Sequence, residues 1–267
     1  VRTLEILCLN AWGGKLHDQL IPYLRETAPD IVCLQEVVHT PSTGKDWLTY
    51  RDGDHILPQR ARLFDEVCAA LPDHWAMFCP AAQGALWDGE TPVPSFWGLA
   101  TFVRQALPVI GQVQGFVHKD YGPDGYGDHP RSRVAHGVRV FDAAQGRAVS
   151  VLQMHGLRDL AGKHDTPERL AQAHRLADLA RQLAQPDDAL VVCGDFNTGP
   201  DSQTLEVLSG LGLQELVTGR GFHGTRTAHY QKPGRFADYM LVNAPVVAFD
   251  VVRSPEVSDH CPLRLIL

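Results

Sequence analysis

A chain of 267 residues, 44% hydrophobic and 21% charged, can bury roughly three quarters of its unfolded surface and suits one large domain, 1–267. Its formal net charge of −7 argues against broad coating of nucleic acid or anionic lipid, which positive charge drives, and no run approaches the ~20 apolar residues of a transmembrane helix. Cys8, Cys33, Cys68, Cys79, Cys193 and Cys261 are widely spaced, with neither zinc-ligand nor redox spacing, and read as buried free thiols.

The chain starts directly with a strand-like run and no signal-peptide pattern, so a cytoplasmic monomer is expected. Residues 4–9 form that strand, which exits at Asn10 and is followed by Ala11, Trp12 and the flexible Gly13-Gly14 pair. Leu16, Leu20, Ile21 and Leu24 then keep helical spacing as far as Pro29, with Pro22 expected to shorten or kink the helix. The next strand, 31–34, ends in Gln35-Glu36. Residues 39–54 read as loop, and Pro58 as the leader of a helix whose Leu63, Phe64, Val67 and Leu71 share one stripe.

Residues 74–79 and 98–104 read as strands around a loop carrying Leu86, Trp87, Phe96 and Trp97. Aromatics there suit stacking on a base or contact with lipid, although packing of at least two onto the body is the plainer reading. Residues 115–130, rich in Gly, Asp and Tyr, read as a long functional or mobile loop. Alternation over 134–141 and 147–154 predicts an antiparallel hairpin turned at Gly146, its second strand leaving at His155. Thr166 as cap and Pro167 at the first position start a helix whose apolar face, Leu176, Leu179, Ala180 and Leu183, runs to Pro186.

Leu190 to Cys193 are apolar and predict a strand buried on both faces, Gly194 permits a sharp exit, and Asp195 and Asn197 follow at spacing two. Asp195 can bind a cation or accept a proton from water, and the Asn197 amide can donate to an anionic oxygen. A short helix through Leu205 and Leu208, a strand at 213–217 and a basic loop at 219–234 come next. The strand-like run 236–240 puts Asp238 on the face of Phe236 and Met240, where a charge needs a partner. Strands at 246–252 and 262–267 close the chain, the last preceded by Ser258-Asp259-His260. Two segments concentrate basic groups, Lys119, Arg131, Arg133 and His136 in one and Arg220, His223, Arg226, His229, Lys232 and Arg235 in the other. They frame an anionic substrate if they meet in space, and are otherwise solvated loop charges.

Polar groups thus recur at strand ends. The ordered set Leu9-Asn10, Leu34-Gln35-Glu36, His155, Gly194-Asp195-Phe196-Asn197, Asp238-Tyr239 and Ser258-Asp259-His260 resembles the endonuclease/exonuclease/phosphatase superfamily over nearly the whole chain. The resemblance implies an α/β fold, a two-sheet sandwich flanked by helices like that of deoxyribonuclease I, with a cleft at one edge and Mg2+ as cofactor, Mn2+ substituting. It implies Glu36 as principal metal ligand, with Asn10 and Asp259 close to the metal. His260, oriented by Asp238, is implied as base or charge partner. Asp195 and Asn197 are implied to position water, leaving group and phosphate oxygen, and His155 to protonate the leaving oxygen or bind phosphate. Arg131 or Arg133 is a candidate phosphate clamp, and Arg226 and Trp12 are candidate substrate contacts. Trp12 stands where abasic-site endonucleases of the superfamily carry an acidic residue, and the Asn-Ala-Trp-Gly run is similar to sphingomyelinase-type members.

The expected activity is phosphate-ester hydrolysis by metal-assisted water attack, first on a nucleic acid or nucleotide, favoured by the histidines and basic loops. The second reading is a sphingomyelinase-like phospholipid phosphodiesterase with peripheral lipid contact, or an inositol-phosphate phosphatase, favoured by Trp12 and the aromatic loop. A catalytically inactive binding module that keeps the fold is the alternative of another class.

Overall fold

The computed structural model describes residues 3–267. The chain first lays down β1 (Glu5–Asn10), α1 (His17–Thr27) and β2 (Ile31–His39), the two strands pairing in parallel through the helical crossover. Two hairpins extend that sheet: β3 (Trp47–Asp52) with β4 (His55–Arg60) and, after α2 (Leu63–Ala70), β5 (His74–Asp88) with β6 (Thr91–Arg104). A second sheet follows from β7 (Val109–His118), β8 (Arg133–Asp142), β9 (Arg147–His155), α3 (Pro167–Leu183), β10 (Ala189–Asp195), α4 (Gln203–Ser209), β11 (Gln214–Glu215) and β12 (Asp238–Val242). The chain then returns through β13 (Ala248–Val251) and β14 (Leu263–Ile266) to the first sheet. Among the described residues the strand orders are β13-β14-β1-β2-β6-β5-β3-β4 and β11-β12-β10-β9-β8-β7.

Alternation along the strands builds the layers. Ile6, Cys8 and Cys33 point into a core shared with Val138, Val151, Val191 and Cys193 of the second sheet. Their neighbours Leu7, Leu9, Val32 and Leu34 face outward and are covered by Leu20 and Leu24 of α1 and Leu63 and Val67 of α2. Leu152 and Val192 of the second sheet are covered likewise by Leu176 and Leu183 of α3. This is the two-sheet α/β sandwich flanked by helices that the motif set implies. It also explains why the central strands read as continuous apolar runs, since both their faces are buried. All the cysteines except the half-buried Cys68 are buried, and all are free. No helix among the described residues is long and apolar enough to cross a membrane.

Several elements differ from the sequence reading. Residues 39–54 are not all loop, because β3 lies within them, and Pro58 leads no helix but sits in β4 opposite Thr49. Proline fits there because β4 is the edge strand and its missing donor breaks no central ladder. The hairpin has no apolar alternation because both its strands are largely exposed. β5 and β6 continue through the stretch read as an aromatic loop, turning only between Asp88 and Thr91. Pro92 and Pro94 are tolerated because β6 has there run past the end of β2, whose last pair is His39 with Phe96. β7 takes the first part of 115–130, leaving 119–132 as loop. The strand at 213–217 shrinks to β11, that at 236–240 begins only at Asp238, and that at 246–252 shortens to β13. α1 runs on through Pro22, which is exposed, so the bond it forfeits falls on the solvent face.

A buried ion pair anchors the far end of the second sheet. Asp188 accepts from Arg139 Nε at 2.7 Å and Nη2 at 2.8 Å, from Ser150 Oγ at 2.8 Å and from the Gln185 N–H at 2.9 Å. The Arg139 bonds, against the cost of burial, hold its carboxyl below the usual carboxylate range. Asp188→Asn is expected to lower stability by about 2 kcal/mol at neutral pH in urea denaturation, because it removes the charge that both Arg139 bonds meet while leaving that guanidinium partly open to water. A depressed folded-state pKa means the contribution is complete above the unfolded value, near ~4, and is lost as pH falls through the folded value. The gap between variant and unmodified chain should therefore close on acidification.

Candidate active site

The two parallel pairs, β1 with β2 and β9 with β10, end at the same rim, and their last residues carry the polar groups. Asn10 ends β1, His155 ends β9 and Asp195 ends β10 directly opposite both His155 and Asp238, the first residue of β12. Gly194 is required for this register, since its φ is 147° and a Cβ there would lie 1.9 Å from the Met154 carbonyl oxygen. Glu36 emerges where the pairing of β2 with β6 shifts between Leu34 and Val37, and its φ of 53° is left-handed. Trp12 and Asn197, with φ of 50° and 52°, share that strained conformation, so three non-glycine outliers cluster around one site.

Hydrogen bonds join these ends across the sheets. Asn10 Nδ2 donates to Asp195 Oδ2 at 2.9 Å, and the Asn197 N–H to Asp195 Oδ1 at 3.0 Å. His155 Nε2 and His260 Nε2 each lie 3.6 Å from the same oxygen, Asp195 Oδ2. The carboxylate of Asp238 lies 2.8 Å from His260 Nδ1 and accepts from Thr225 Oγ1 at 2.6 Å, which supplies the partner its buried charge requires. Arg226 Nη1 donates to Asp259 Oδ2 at 2.9 Å and also approaches His260 Nε2. That arrangement assigns His260 the tautomer with its proton on Nδ1 and a lone pair on Nε2. Ser258 Oγ donates to the Asn10 carbonyl at 2.6 Å and accepts from the His260 N–H at 3.2 Å, tying the Ser-Asp-His segment to β1.

Burial and neighbours push the titrating groups apart. Burial opposes the charge of Asp195, but His260, His155, Arg226 and the Asn10 bond hold its carboxyl well below the ordinary range. Burial raises Glu36, and the negative charges of Asp259 and Asp195 raise it further. His155 is lowered well below its usual value by burial and by Arg133. Burial also works against a cationic His260, yet Asp238, Asp195 and Asp259 prevail over it and over Arg226, and its pKa is raised. Two buried histidines beside one carboxylate are thus tuned in opposite directions.

A cleft of about 880 Å³ opens over this rim. Trp12, Glu36, Arg131, Arg133, His155, Asp195, Asn197, Arg226, Asp259 and His260 all line it. Asn10 and Asp238 lie behind the wall, and the Asn10 Oδ1 is engaged by the Trp12 N–H at 2.9 Å. Both basic segments reach the cleft, but not with all their members. His136 is buried against Thr101, and Arg235 braces the carbonyls of Arg226, Thr227 and Tyr230. Arg131 is held at the rim by Asp52 at 3.0 Å and the Tyr50 hydroxyl, whereas Arg133 is buried, spends Nε on the Gly156 carbonyl at 2.9 Å and leaves Nη1 without a partner among the described residues. Of the aromatics in the stretch read as a loop, Trp97 packs with Leu86 onto the body and Phe96 stacks on His39.

Two residues escaped the sequence reading. Arg169 of α3 is almost wholly buried and donates to the His164 and Gly162 carbonyls and to that of Asn197 at 3.2 Å, pinning the loop before α3 against the Asp195–Asn197 exit. Its place on the helix face of Ala173, Leu176 and Ala180 was the available signal. Lys163, lowered by burial, bonds the Phe236 carbonyl on the cleft wall and lies in a loop where no periodicity marks it.

The Endonuclease/Exonuclease/phosphatase family profile matches residues 7–260. A search of curated proteins by sequence found no match. Among solved structures, an endonuclease/exonuclease/phosphatase from Bacteroides vulgatus aligns at TM-score 0.64 and 16% identity, covering 100% of this chain and 98% of the other. The mannosyl-6-phosphatase of Bacteroides thetaiotaomicron aligns at 0.66 and 14%, covering 99% of each chain. The human Nocturnin catalytic domain, solved with a sulfate anion, aligns at 0.65 and 17%, covering 99% and 92%. At such identities these likenesses show the fold, and the profile match across almost the whole chain supplies the kinship: this chain belongs to the endonuclease/exonuclease/phosphatase family, whose members are phosphoester hydrolases.

Proposed function

We propose that this chain, acting as one domain and a monomer, hydrolyses the phosphate ester of a nucleic acid or nucleotide by direct attack of water, with a divalent cation, Mg2+ or in its place Mn2+. The observation that carries the reading is the pair of oppositely tuned histidines, each 3.6 Å from Asp195. With Arg226 drawn from His260 to the substrate, a water beside His260 Nε2 gives its proton to that nitrogen as its oxygen attacks phosphorus, and Asp238 stabilises the imidazolium that results. His155, kept neutral, donates to a phosphate oxygen, Asp195, held ionised, accepts from the attacking water and so orients it, and the ester oxygen, as its bond to phosphorus breaks, is met by the Asn197 amide and takes a proton from solvent. Asn10 keeps Asp195 in place.

The residues present suit a hard cation. Glu36 is a half-buried carboxylate crowded by two others, and the oxygens of Glu36 and Asp259 would hold Mg2+, with Asn10 close behind them. Nitrogen and oxygen atoms of Glu36, His155 and Asp195 lie within 4.8 Å of one another beside that set. When bound, the cation neutralises charge that develops on the phosphate oxygens. Asp259 is paired with Arg226, so recruiting it to the cation frees that guanidinium to meet the substrate.

The test is a chelator-controlled panel of single- and double-stranded DNA, RNA, nucleotides, inositol phosphates and sphingomyelin. Chelation is expected to abolish turnover and Mg2+ or Mn2+ to restore it, and turnover that survives chelation would remove the cation from the reaction. A second reading, a phospholipid head-group phosphodiesterase, is favoured by Leu160, which lines the cleft yet is 70% exposed. Cleavage of sphingomyelin liposomes without any nucleic-acid or nucleotide hydrolysis would put it first.

A further inference from the structure

One side of the cleft is not needed to bring a phosphate to Asp195. Val38, Leu57 and Leu86 and the rings of Tyr50, Trp97 and Tyr126 line it there, and all of these but Leu57 pack as one apolar cluster, a chamber wall on the His155 side. These rings are set in advance of any ligand. Tyr126 packs over Gly84, where even a Cβ would lie 2.8 Å from its ring, and stands 5.8 Å from Tyr50. The Arg131 guanidinium lies 5.6 Å and 5.9 Å from the Tyr50 and Tyr126 ring centres while bound to Asp52. Trp97 sits 5.5 Å from the His155 ring, next to the reacting end of the cleft.

Two buried polar atoms on this side have no partner among the described residues. Arg133 is 3% exposed, its guanidinium lies 5.0 Å from the Trp97 ring centre, and its Nη1 is unbonded although it lines the cleft beside Glu36 and Asp195. His129, also on the wall, leaves Nδ1 unbonded. Buried donors and acceptors are seldom left unmade, so these two mark where a ligand completes the site. An acyl chain would fill the apolar space and leave both atoms orphaned, and a sugar, which lays only the C–H groups of one face on an aromatic ring, would turn its other hydroxyls toward Val38, Leu57 and Leu86. A flat heterocycle with an apolar face and a hydrogen-bonding edge, carrying a phosphate a few bonds away, meets both demands.

We propose that this chamber seats a nucleobase, with Arg133 holding an oxygen of the adjoining phosphate, so that the preferred substrate is a nucleotidyl ester with an unpaired base: a mononucleotide or a strand end. This rests on the phosphoester-hydrolase reading above and narrows it. A base held in a duplex must be extruded before it can enter the chamber, whereas an unpaired one enters at no such cost.

The test separates binding from turnover. With chelator present, calorimetric titration of the unmodified chain with adenosine 5′-monophosphate and with ribose 5-phosphate is expected to show the nucleotide bound roughly 5- to 150-fold more tightly, the span that stacking on aromatic rings supplies. Tyr126→Leu should shrink that ratio, whereas Arg133→Met should weaken both ligands. With Mg2+, a single-stranded oligonucleotide should be cleaved faster than the same strand in a duplex. Equal binding of the two ligands, no measurable binding of either, or faster cleavage of the duplex overturns the proposal. Selective nucleotide binding by a chain that hydrolyses no ester at all would instead leave the chamber standing and sink the hydrolase reading alone.

Discussion

Replacing His260 by alanine is expected to lower turnover by about 10²–10⁴-fold, the range that a positioned general base contributes. The imidazole is held by Asp238 on one side and faces Asp195 and Arg226 on the other, so no neighbour can replace its lone pair at Nε2. Steady-state rates on whichever panel substrate is cleaved decide the matter, and an unchanged rate would exclude His260 from proton transfer. Asp238→Asn gives an independent reading. Loss of that negative charge removes the main force holding the His260 pKa up, so the acidic limb of the pH–rate profile should move to lower pH while the imidazole itself remains.

Much of this site could be read from the sequence because it sits where the sequence is most constrained. β1, β2 and β10 are buried on both faces, so their apolar runs are continuous and the polar residues that follow each run mark the rim. That pointed to Asn10, the Gln35-Glu36 pair and Asp195, and the fold then buries Gln35 against Gln153 while Glu36 lines the cleft. Asp238 was marked by the cost of a charge on a core-facing position and by the resemblance, which paired it with His260, and the two are bonded in the fold. The β3–β4 hairpin was missed because an exposed edge needs no apolar alternation, and with it went the chamber wall that Tyr50 and Leu57 help to build. The choice between Arg131 and Arg133 also lay beyond the letters. Both sit in one polar segment, and only the fold spends Arg131 on Asp52 and Tyr50 while burying Arg133 with a donor unused. Left-handed backbone at Trp12, Glu36 and Asn197 is likewise a tertiary property, since strain of this kind persists only where surrounding packing enforces it.

Glu36→Gln is expected to reduce activity by more than about 100-fold, exceeding the 10–100-fold typical of groups that merely support a metal ligand, and at the same time to stabilise the metal-free fold by about 1 kcal/mol. The two effects share one origin. Burial, Asp259 and Asp195 make the Glu36 carboxylate unfavourable in the folded chain, which is the condition a cation relieves and a neutral amide removes. A carboxyl raised above its unfolded pKa destabilises the fold once pH exceeds the unfolded value, so the stabilising effect of the amide should grow from acidic to neutral pH and fade near ~4. Gln keeps the side-chain length and leaves the left-handed backbone at this position unchanged, so altered strain cannot account for a gain. Thermal unfolding with and without Mg2+ supplies the control: the cation should raise the melting temperature of the unmodified chain through its preference for the folded state and should have much less effect on the variant. A variant that is less stable without metal, or that gains as much from Mg2+ as the unmodified chain does, would show that Glu36 is neither the strained charge nor the principal ligand assigned to it.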